Sequence, residues 1–314
     1  MAILHGKMKP KIYFYSDSRD PSAQDKAGYV DCVPFSPQGI EKWIEPTESP
    51  DEAQLFYCGQ FHDKDAWKLN PNRFEFFQGR ESKHVADIEG DWRGMEIPEW
   101  LRPCVLTAFN AREKNRGWNI MARPGCSKLL VHLAREAPSG FRMPPKKQFW
   151  FRGQQDSQGL RMRMWKVIHE TGLPLELKIN DFWGAVIDTS NQAVVEYQRN
   201  MEDYAFILCP GGEGWGATLR MYEACHYGRI PILIADCLWT WEDVTDVSFA
   251  FKIMPTASDE EMAKALADIL AIPESEVEDR CRMAALYFEH VVRFYFRDPT
   301  LSFLTWLRKR NLLL

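Results

Sequence analysis

Arg220 and Glu223 stand three residues apart, just beyond a run in which Gly211, Gly212, Gly214 and Gly216 are four of six residues. A guanidinium offers a planar fork of donors that matches a diphosphate, and a carboxylate accepts from two vicinal hydroxyls. At this spacing on a helix the two side chains share a face. The glycines let a backbone approach a ligand closely, and a helix starting beyond them aims free N–H groups and its dipole at an anion. These residue types in this order spell a nucleoside-diphosphate site, with Trp215 inside the turn placed to stack on a base or sugar. Two plainer readings stay open: a turn that needs glycine for its own geometry, and an intrahelical ion pair on a solvated face.

Other phosphate loops compete with this reading. The Walker pattern is absent, since no lysine follows the glycines. The dinucleotide fingerprint is present: Gly212-Glu-Gly-Trp-Gly-Ala217 fits G-x-G-x-x-A, and Asp236 follows where an acid would hold a ribose. An NAD(P)-dependent oxidoreductase is therefore a rival, although that fingerprint belongs after the first strand of its domain and at least two strands are expected before it here.

Such a site needs a buried strand before the turn and a helix after it. Ala205-Phe-Ile-Leu-Cys209 is fully apolar, the helix runs to Tyr227 with Gly228 as its stop, and Ile230 to Ile234 is a second apolar run. Upstream, a strand over Gln148 to Phe151, a helix over Leu160 to Thr171, a strand over Leu175 to Ile179 and a segment around Asn191 to Glu202 alternate at βαβ spacing. Downstream, Ser258-Asp-Glu-Glu261 is a capping box, with Met262, Leu266, Ile269 and Leu270 on one face. A long helix from Glu274 follows, with Val277, Cys281, Ala284, Phe288, Val291 and Val292 as its apolar stripe, and Pro299 opens a last helix carrying Phe303, Trp306 and Leu307.

The N-terminal part reads as a second α/β domain. Its expected strands are Lys11 to Tyr15, Ala53 to Cys58 stopped by Gly59, a run around Arg73 to Phe77, and Val105 to Phe109. The Pro- and Gly-rich stretch from Ala137 to Lys147 is the best linker, which places an N-terminal domain at 1–143 and a C-terminal one at 144–314, with the last helices packing back on the first. A chain of 314 residues is long enough for two such cores.

A net charge of -5 argues against a surface that wraps nucleic acid by neutralising phosphates. No run has the length of a signal peptide or a membrane span, so a cytoplasmic protein is expected. The 8 cysteines include no CxxC pair and read as buried thiols in a reducing compartment. Of the 12 tryptophans, Trp165 and Trp306 fall at helical spacing and are expected in the core.

Leu208-Cys-Pro-Gly-Gly, Leu219-Arg-Met-Tyr-Glu-Ala224 and Gly228-Arg-Ile-Pro-Ile-Leu-Ile resemble the C-terminal half of the exostosin family of glycosyltransferases. Phe149-Trp-Phe-Arg-Gly153 with Arg161 and Arg163 behind it resembles that family's Phe-Phe-x-Gly strand and trailing arginines, and Tyr197 to Phe206 its approach to the glycine motif. In the N-terminal half the likeness is thinner: Leu55-Phe-Tyr, Arg123-Pro-Gly125, and Gly79-Arg-Glu-Ser-Lys-His84 in place of Gly-Arg-Asp-His. The resemblance implies a GT-B fold, two Rossmann-like α/β domains with a cleft between them and C-terminal helices. It implies a metal-independent hexosyl- or pentosyltransferase with no cofactor beyond its co-substrate, a nucleotide sugar for which UDP is favoured. The C-terminal domain would hold that donor, with Arg220 on the diphosphate, Glu223 on the ribose, and Arg152, Gly153 and Arg161 facing the leaving group. The acceptor is expected to be a saccharide or another hydroxyl compound. Hydroxymethylated DNA bases, in a viral setting, are the alternative.

Sugar transfer with inversion also needs a base for the acceptor proton. It should sit on a loop after an N-domain strand, which nominates His62, Glu81, His84 and Asp17, the first two foremost.

Overall fold

The computed structural model describes residues 9–15, 35, 40–62, 71–89, 97–108, 111–124, 128–136, 141–154, 159–180, 192–211 and 218–313. The chain divides into two compact units, one of residues 1–109, 114–123 and 298–314, the other of 110–113 and 124–297. Each is built on a sheet whose strand pairs are all parallel.

Unit 1 contains β1 (Lys11–Phe14), β2 (Glu45–Thr47), β3 (Leu55–His62), β4 (His84–Glu89), β5 (Val105–Ala108) and β6 (Ile120–Ala122). Their order across the sheet is β2-β1-β3-β4-β5-β6. Three of these strands escape the hydrophobic pattern for physical reasons. In β2 the sequence is Glu-Pro-Thr, and proline is tolerated there because the strand is an edge. β4 carries His84 and Asp87 at buried positions, and β6 is only three residues long. Conversely, the strand expected around Arg73 to Phe77 is a pair of turns. Pro71 opens them, the N–H of Phe74 donates to Pro71 O at 3.0 Å, and that of Phe77 to Phe74 O at 2.9 Å. The aromatic density there serves to pack Phe77 on the His84 ring, with centroids 4.8 Å apart.

Gly59 does not stop β3. It adopts φ 113 and marks a register shift against β4, after which pairing resumes from Gly59 to His62. A side chain would resist that φ, so glycine here makes a bulge that lets the strand continue.

Unit 2 begins with α1 (Lys128–Arg135) and continues through β7 (Lys146–Gln154), α2 (Leu160–Thr171), β8 (Leu175–Asn180), α3 (Gln192–Glu202), β9 (Tyr204–Pro210), α4 (Arg220–His226), β10 (Ile230–Ile234) and β11 (Phe251–Ile253). It ends with α5 (Asp259–Ala271), α6 (Glu274–Tyr287), a π-helical turn over Phe288–Val292, and α7 (Arg293–Arg297). The expected division at 143/144 therefore differs from the one seen. Arg293 holds α1 in unit 2, its Nη1 donating to Ala134 O at 2.9 Å and to Glu136 O. The last helix, α8 (Pro299–Lys309), belongs to unit 1. Asp298 caps it by accepting from Leu301 N at 3.0 Å, and its other oxygen accepts from the Trp43 indole at 2.5 Å.

The sheet of unit 2 runs β11-β10-β9-β7-β8. Every residue of β9 and β10 is buried, as the apolar runs require of parallel strands covered on both faces. The capping box forms as expected: Glu261 N donates to Ser258 Oγ at 3.1 Å, and Ser258 N to Glu261 Oε2 at 2.7 Å. The cap starts α5 so that Met262, Leu266 and Ile269 share one core with Leu160, Met164, Val167 and Ile168 of α2. Trp306 is buried, whereas Trp165 is half-buried beside His169. Cys58, Cys104, Cys209, Cys225, Cys237 and Cys281 are free and buried, and Cys32 and Cys126 lie outside the described residues. Among the described residues no helix is long and apolar enough to cross a membrane.

His226 on α4 is buried against Tyr227 and Phe288, and its nearest carboxylate, Glu136, is 3.8 Å away. Burial, with Arg293 and His132 adding to it, lowers its pKa to about 4 from an ordinary 6.5. The folded state thus refuses a proton that the unfolded chain takes, so this contribution is complete above about pH 6.5 and is lost as the pH falls toward 4. Urea titrations at several pH values should show unit 2 losing about 3 kcal/mol across that window. A His226→Phe variant should lack that loss, and an unchanged pH slope in the variant would contradict the assignment.

Candidate functional site

In an open parallel sheet, ligands bind beyond the carboxyl ends of the strands where the winding reverses. In unit 2 that switch lies between β7 and β9, because β8 follows β7 to one side and β10 follows β9 to the other. The residues at this point are Arg152, Gly153 and Gln154 ending β7, and Cys209, Pro210 and Gly211 at the end of β9.

Arg220 reaches into this switch. It is the first residue of α4, and its Nη2 donates to Arg152 O at 2.7 Å. The guanidinium lies over the Phe151 ring, 4.6 Å from its centroid. Gly153 makes this approach possible: a Cβ there would sit 2.9 Å from Arg220 Nη2 and 2.9 Å from Phe151 Cζ. A side chain at 153 would therefore force the Arg220 tip or the Phe151 ring to shift, so the glycine is explained by close packing and not by a turn. Arg220 Nε and Nη1 are buried and have no hydrogen-bond acceptor at bonding geometry among the described residues. Burial opposes the charge of Arg220, yet Tyr197, Cys209 and Glu223 beside it outweigh burial and hold its pKa above the ordinary value.

Glu223, one helical turn on, is buried, and its Oε2 accepts from the Tyr197 hydroxyl at 2.7 Å. Burial raises its pKa, with Tyr197 and Arg220 opposing that rise. Tyr197 comes from α3 and packs edge-on to Trp150 of β7, with centroids 5.2 Å apart. Burial and the neighbouring Glu223 charge push its own pKa far up, so it remains a neutral donor. The cluster therefore draws on α3, α4 and β7. Tyr197 stood outside the candidate site residues, since no local spacing ties it to a carboxylate 26 residues later.

The remaining donor-site candidates fare differently. Gly212, Gly214, Trp215 and Gly216 lie outside the described residues. Gly211 donates its N–H to Ile234 O at 2.9 Å, which extends the β9–β10 ladder and removes that N–H from the donors available to an anion. Arg152 is buried within β7, and Arg161 is half-buried in the first turn of α2. Arg163 is consumed as a strut: it pairs with Asp259 at 2.6 Å and donates to Pro255 O and Ala257 O, tying α2 to the start of α5. Asp236 accepts from Glu113 N at 3.0 Å, and Lys252 pairs with Glu113 and donates to Cys237 O.

The nominated bases in unit 1 separate by sheet edge. His62 is the last residue of β3, at the carboxyl edge, in register with Glu89 of β4. Glu81 and His84 lie at the opposite edge, in the turn that precedes β4 and at its first residue. Without β4 in the sequence reading, they pass for residues after a strand. His84 is fully buried, its Nδ1 donating to Arg80 O at 2.9 Å and its Nε2 bonded to the Tyr15 hydroxyl at 2.9 Å. Burial lowers its pKa, and the ring stacks on Phe56, so it is a core histidine with neither nitrogen left for a substrate. Glu81 accepts from Gly79 N at 2.9 Å, a bond that holds its carboxylate below the ordinary value. Asp17 lies outside the described residues.

A second polar cluster lies in unit 1. Asp87 of β4, Thr107 of β5 and Arg123 just after β6 are all buried. Arg123 Nε pairs with Asp87 Oδ1 at 3.1 Å, and the Thr107 hydroxyl donates to the same oxygen. Its burial makes it a tie between strands.

Among known proteins, no family profile and no curated protein matches the chain. Solved structures similar to it include TarM, at 12% identity and a TM-score of 0.39 over 83% of this chain and 55% of that one. A variant of S. aureus TarM in complex with fondaparinux, α-GlcNAc-glycerol and UDP is also 12% identical, with a TM-score of 0.37 over 81% and 55%. The pneumococcal O-GlcNAc transferase GtfA in complex with UDP and GlcNAc is 9% identical, with a TM-score of 0.28 over 74% and 56%. The chain spans about half the length of these structures.

Proposed function

We propose that this chain is an exostosin-like glycosyltransferase of GT-B type, moving a sugar from a nucleoside-diphosphate donor, UDP-sugar first, to a hydroxyl acceptor such as a saccharide. The observation that carries this reading is the Arg220–Glu223–Tyr197 cluster at the switch between β7 and β9, a cation and a hydroxyl-reading carboxylate three residues apart. Arg220 takes the diphosphate. Its charge stabilises the negative charge that develops as the bond between the anomeric carbon and the phosphate oxygen breaks, which is the role a metal plays in other transferases. The acceptor oxygen then forms the new bond to that carbon, and its proton passes to a base. Among the described residues, His62 is the nominee for that base that lies at a carboxyl sheet edge.

An NAD(P)-dependent oxidoreductase is the weaker reading. The glycine turn follows the third strand of its sheet in chain order, whereas a dinucleotide fingerprint follows the first. The deciding assay incubates the protein with a panel of sugar nucleotides, with and without saccharide acceptors, and measures release of free nucleotide. Release of UDP from at least one UDP-sugar is expected, and no release from any sugar nucleotide would contradict the proposal.

Gly153 offers a sharper check. Gly153→Ala should displace the Arg220 guanidinium from its seat, and overpacking of about 1–3 kcal/mol translates to roughly tenfold weaker UDP binding. Calorimetric titration measures it. An alanine variant that binds UDP as the wild type does would remove Arg220 from the site.

A further inference from the structure

Tyr197 of α3 links β7 to the Glu223 carboxylate of α4. Its ring is wedged edge-on to Trp150, and its single proton is given to Glu223 Oε2 at 2.7 Å. A hydroxyl has one proton to donate, and a carboxylate has two oxygens with about four acceptor sites between them. The bond to Tyr197 fixes the rotation of the carboxylate and occupies one oxygen, so Oε1 is presented in a set direction. Arg220, one turn before Glu223 on α4, lies close enough to both Tyr197 and Glu223 to act on their charges. A carboxylate held in this way, adjacent to a cation suited to a diphosphate, is arranged to accept from the paired hydroxyls of a ribose.

We infer that Tyr197 is a positioning residue that orients Glu223 for the two ribose hydroxyls of the nucleotide, and so sets the preference for ribonucleotides over nucleotides that lack the diol. The inference rests on the reading of unit 2 as a nucleotide site and goes one step past it, from where the diphosphate is held to how the sugar of the nucleotide is recognised. A role in packing alone predicts something different: loss of the hydroxyl would loosen α3 and weaken every nucleotide equally.

The test is calorimetric titration of wild type, Tyr197→Phe and Glu223→Gln with UDP and with 2′,3′-dideoxy-UDP, thermal melts confirming that each protein is folded. Wild type should favour UDP. Tyr197→Phe should lose about tenfold in UDP affinity, as expected for a hydrogen bond to a charged group, while its affinity for the dideoxy compound stays near that of wild type. Glu223→Gln should collapse the same ratio, and the double variant should be no worse than Glu223→Gln alone, because the two act as one unit. If Tyr197→Phe keeps the wild-type ratio, or weakens both ligands alike, the positioning role is wrong and the diphosphate site stands. Equal binding of the two ligands by the wild type has the same consequence. If the wild type binds neither, the nucleotide reading falls, and this inference with it. Should Tyr197→Phe fail to fold, the Glu223→Gln ratio alone decides: an unchanged ratio overturns the inference.

Discussion

Arg220→Ala is expected to abolish useful nucleotide binding, weakening UDP by about a hundredfold, or about 3 kcal/mol, the scale of a charge-assisted bond or two to a phosphate. The same change takes the donor from Arg152 O and the cation from the face of Phe151, and it leaves Glu223 buried without the positive neighbour that restrains its pKa. Some loss of thermal stability should therefore accompany the loss of binding. Arg220→Lys separates the two effects. It keeps a positive charge beside Glu223 but has no planar fork, so it should melt nearer to wild type and still bind UDP about tenfold more weakly. A lysine variant with full affinity would show that a point charge suffices and that the fork at Arg220 plays no part.

Asp87→Ala should be the most destabilising single change in unit 1. Asp87 and Arg123 side chains are each 2% exposed, so removing the carboxylate takes the negative partner from a buried guanidinium and the acceptor from the Thr107 hydroxyl. Breaking a buried pair in this way costs about 3–5 kcal/mol, whereas replacing both partners by apolar residues of similar volume is often close to neutral. Asp87→Leu combined with Arg123→Met should accordingly recover much of what Asp87→Ala loses. Urea unfolding followed by far-UV circular dichroism measures both. A cost below about 1 kcal/mol for Asp87→Ala would show that water reaches the pair.

Unit 2 was more legible in the sequence than unit 1, and the difference has a physical origin. Strands such as Ala205 to Cys209 and Ile230 to Ile234 are buried on both faces and therefore read as unbroken apolar runs, and glycine and the Ser258 cap punctuate what lies between and beyond them. In unit 1 the strands carry their polar residues inside. His84 and Asp87 are satisfied by partners distant in sequence, Tyr15 and Arg123, which no local pattern reveals. Missing β4 then moved Glu81 and His84 to the wrong edge of the sheet. The candidate site divides in the same way. Arg220 and Glu223 are helix neighbours and were visible as a pair, but Tyr197 reaches Glu223 only through tertiary structure. Arg163, one of the two arginines trailing the β7 strand in the family resemblance, is spent on Asp259 and two carbonyls, partners that no local pattern ties to it.

The central claim is that the switch point of unit 2 holds a nucleoside diphosphate through Arg220. Side-by-side calorimetric titration of the wild-type chain and Arg220→Ala with UDP and with NAD tests it most directly. Saturable one-to-one binding of UDP by the wild type, its loss in the variant, and no binding of NAD are expected. Binding of NAD without UDP, or UDP affinity unaltered by Arg220→Ala, would contradict it.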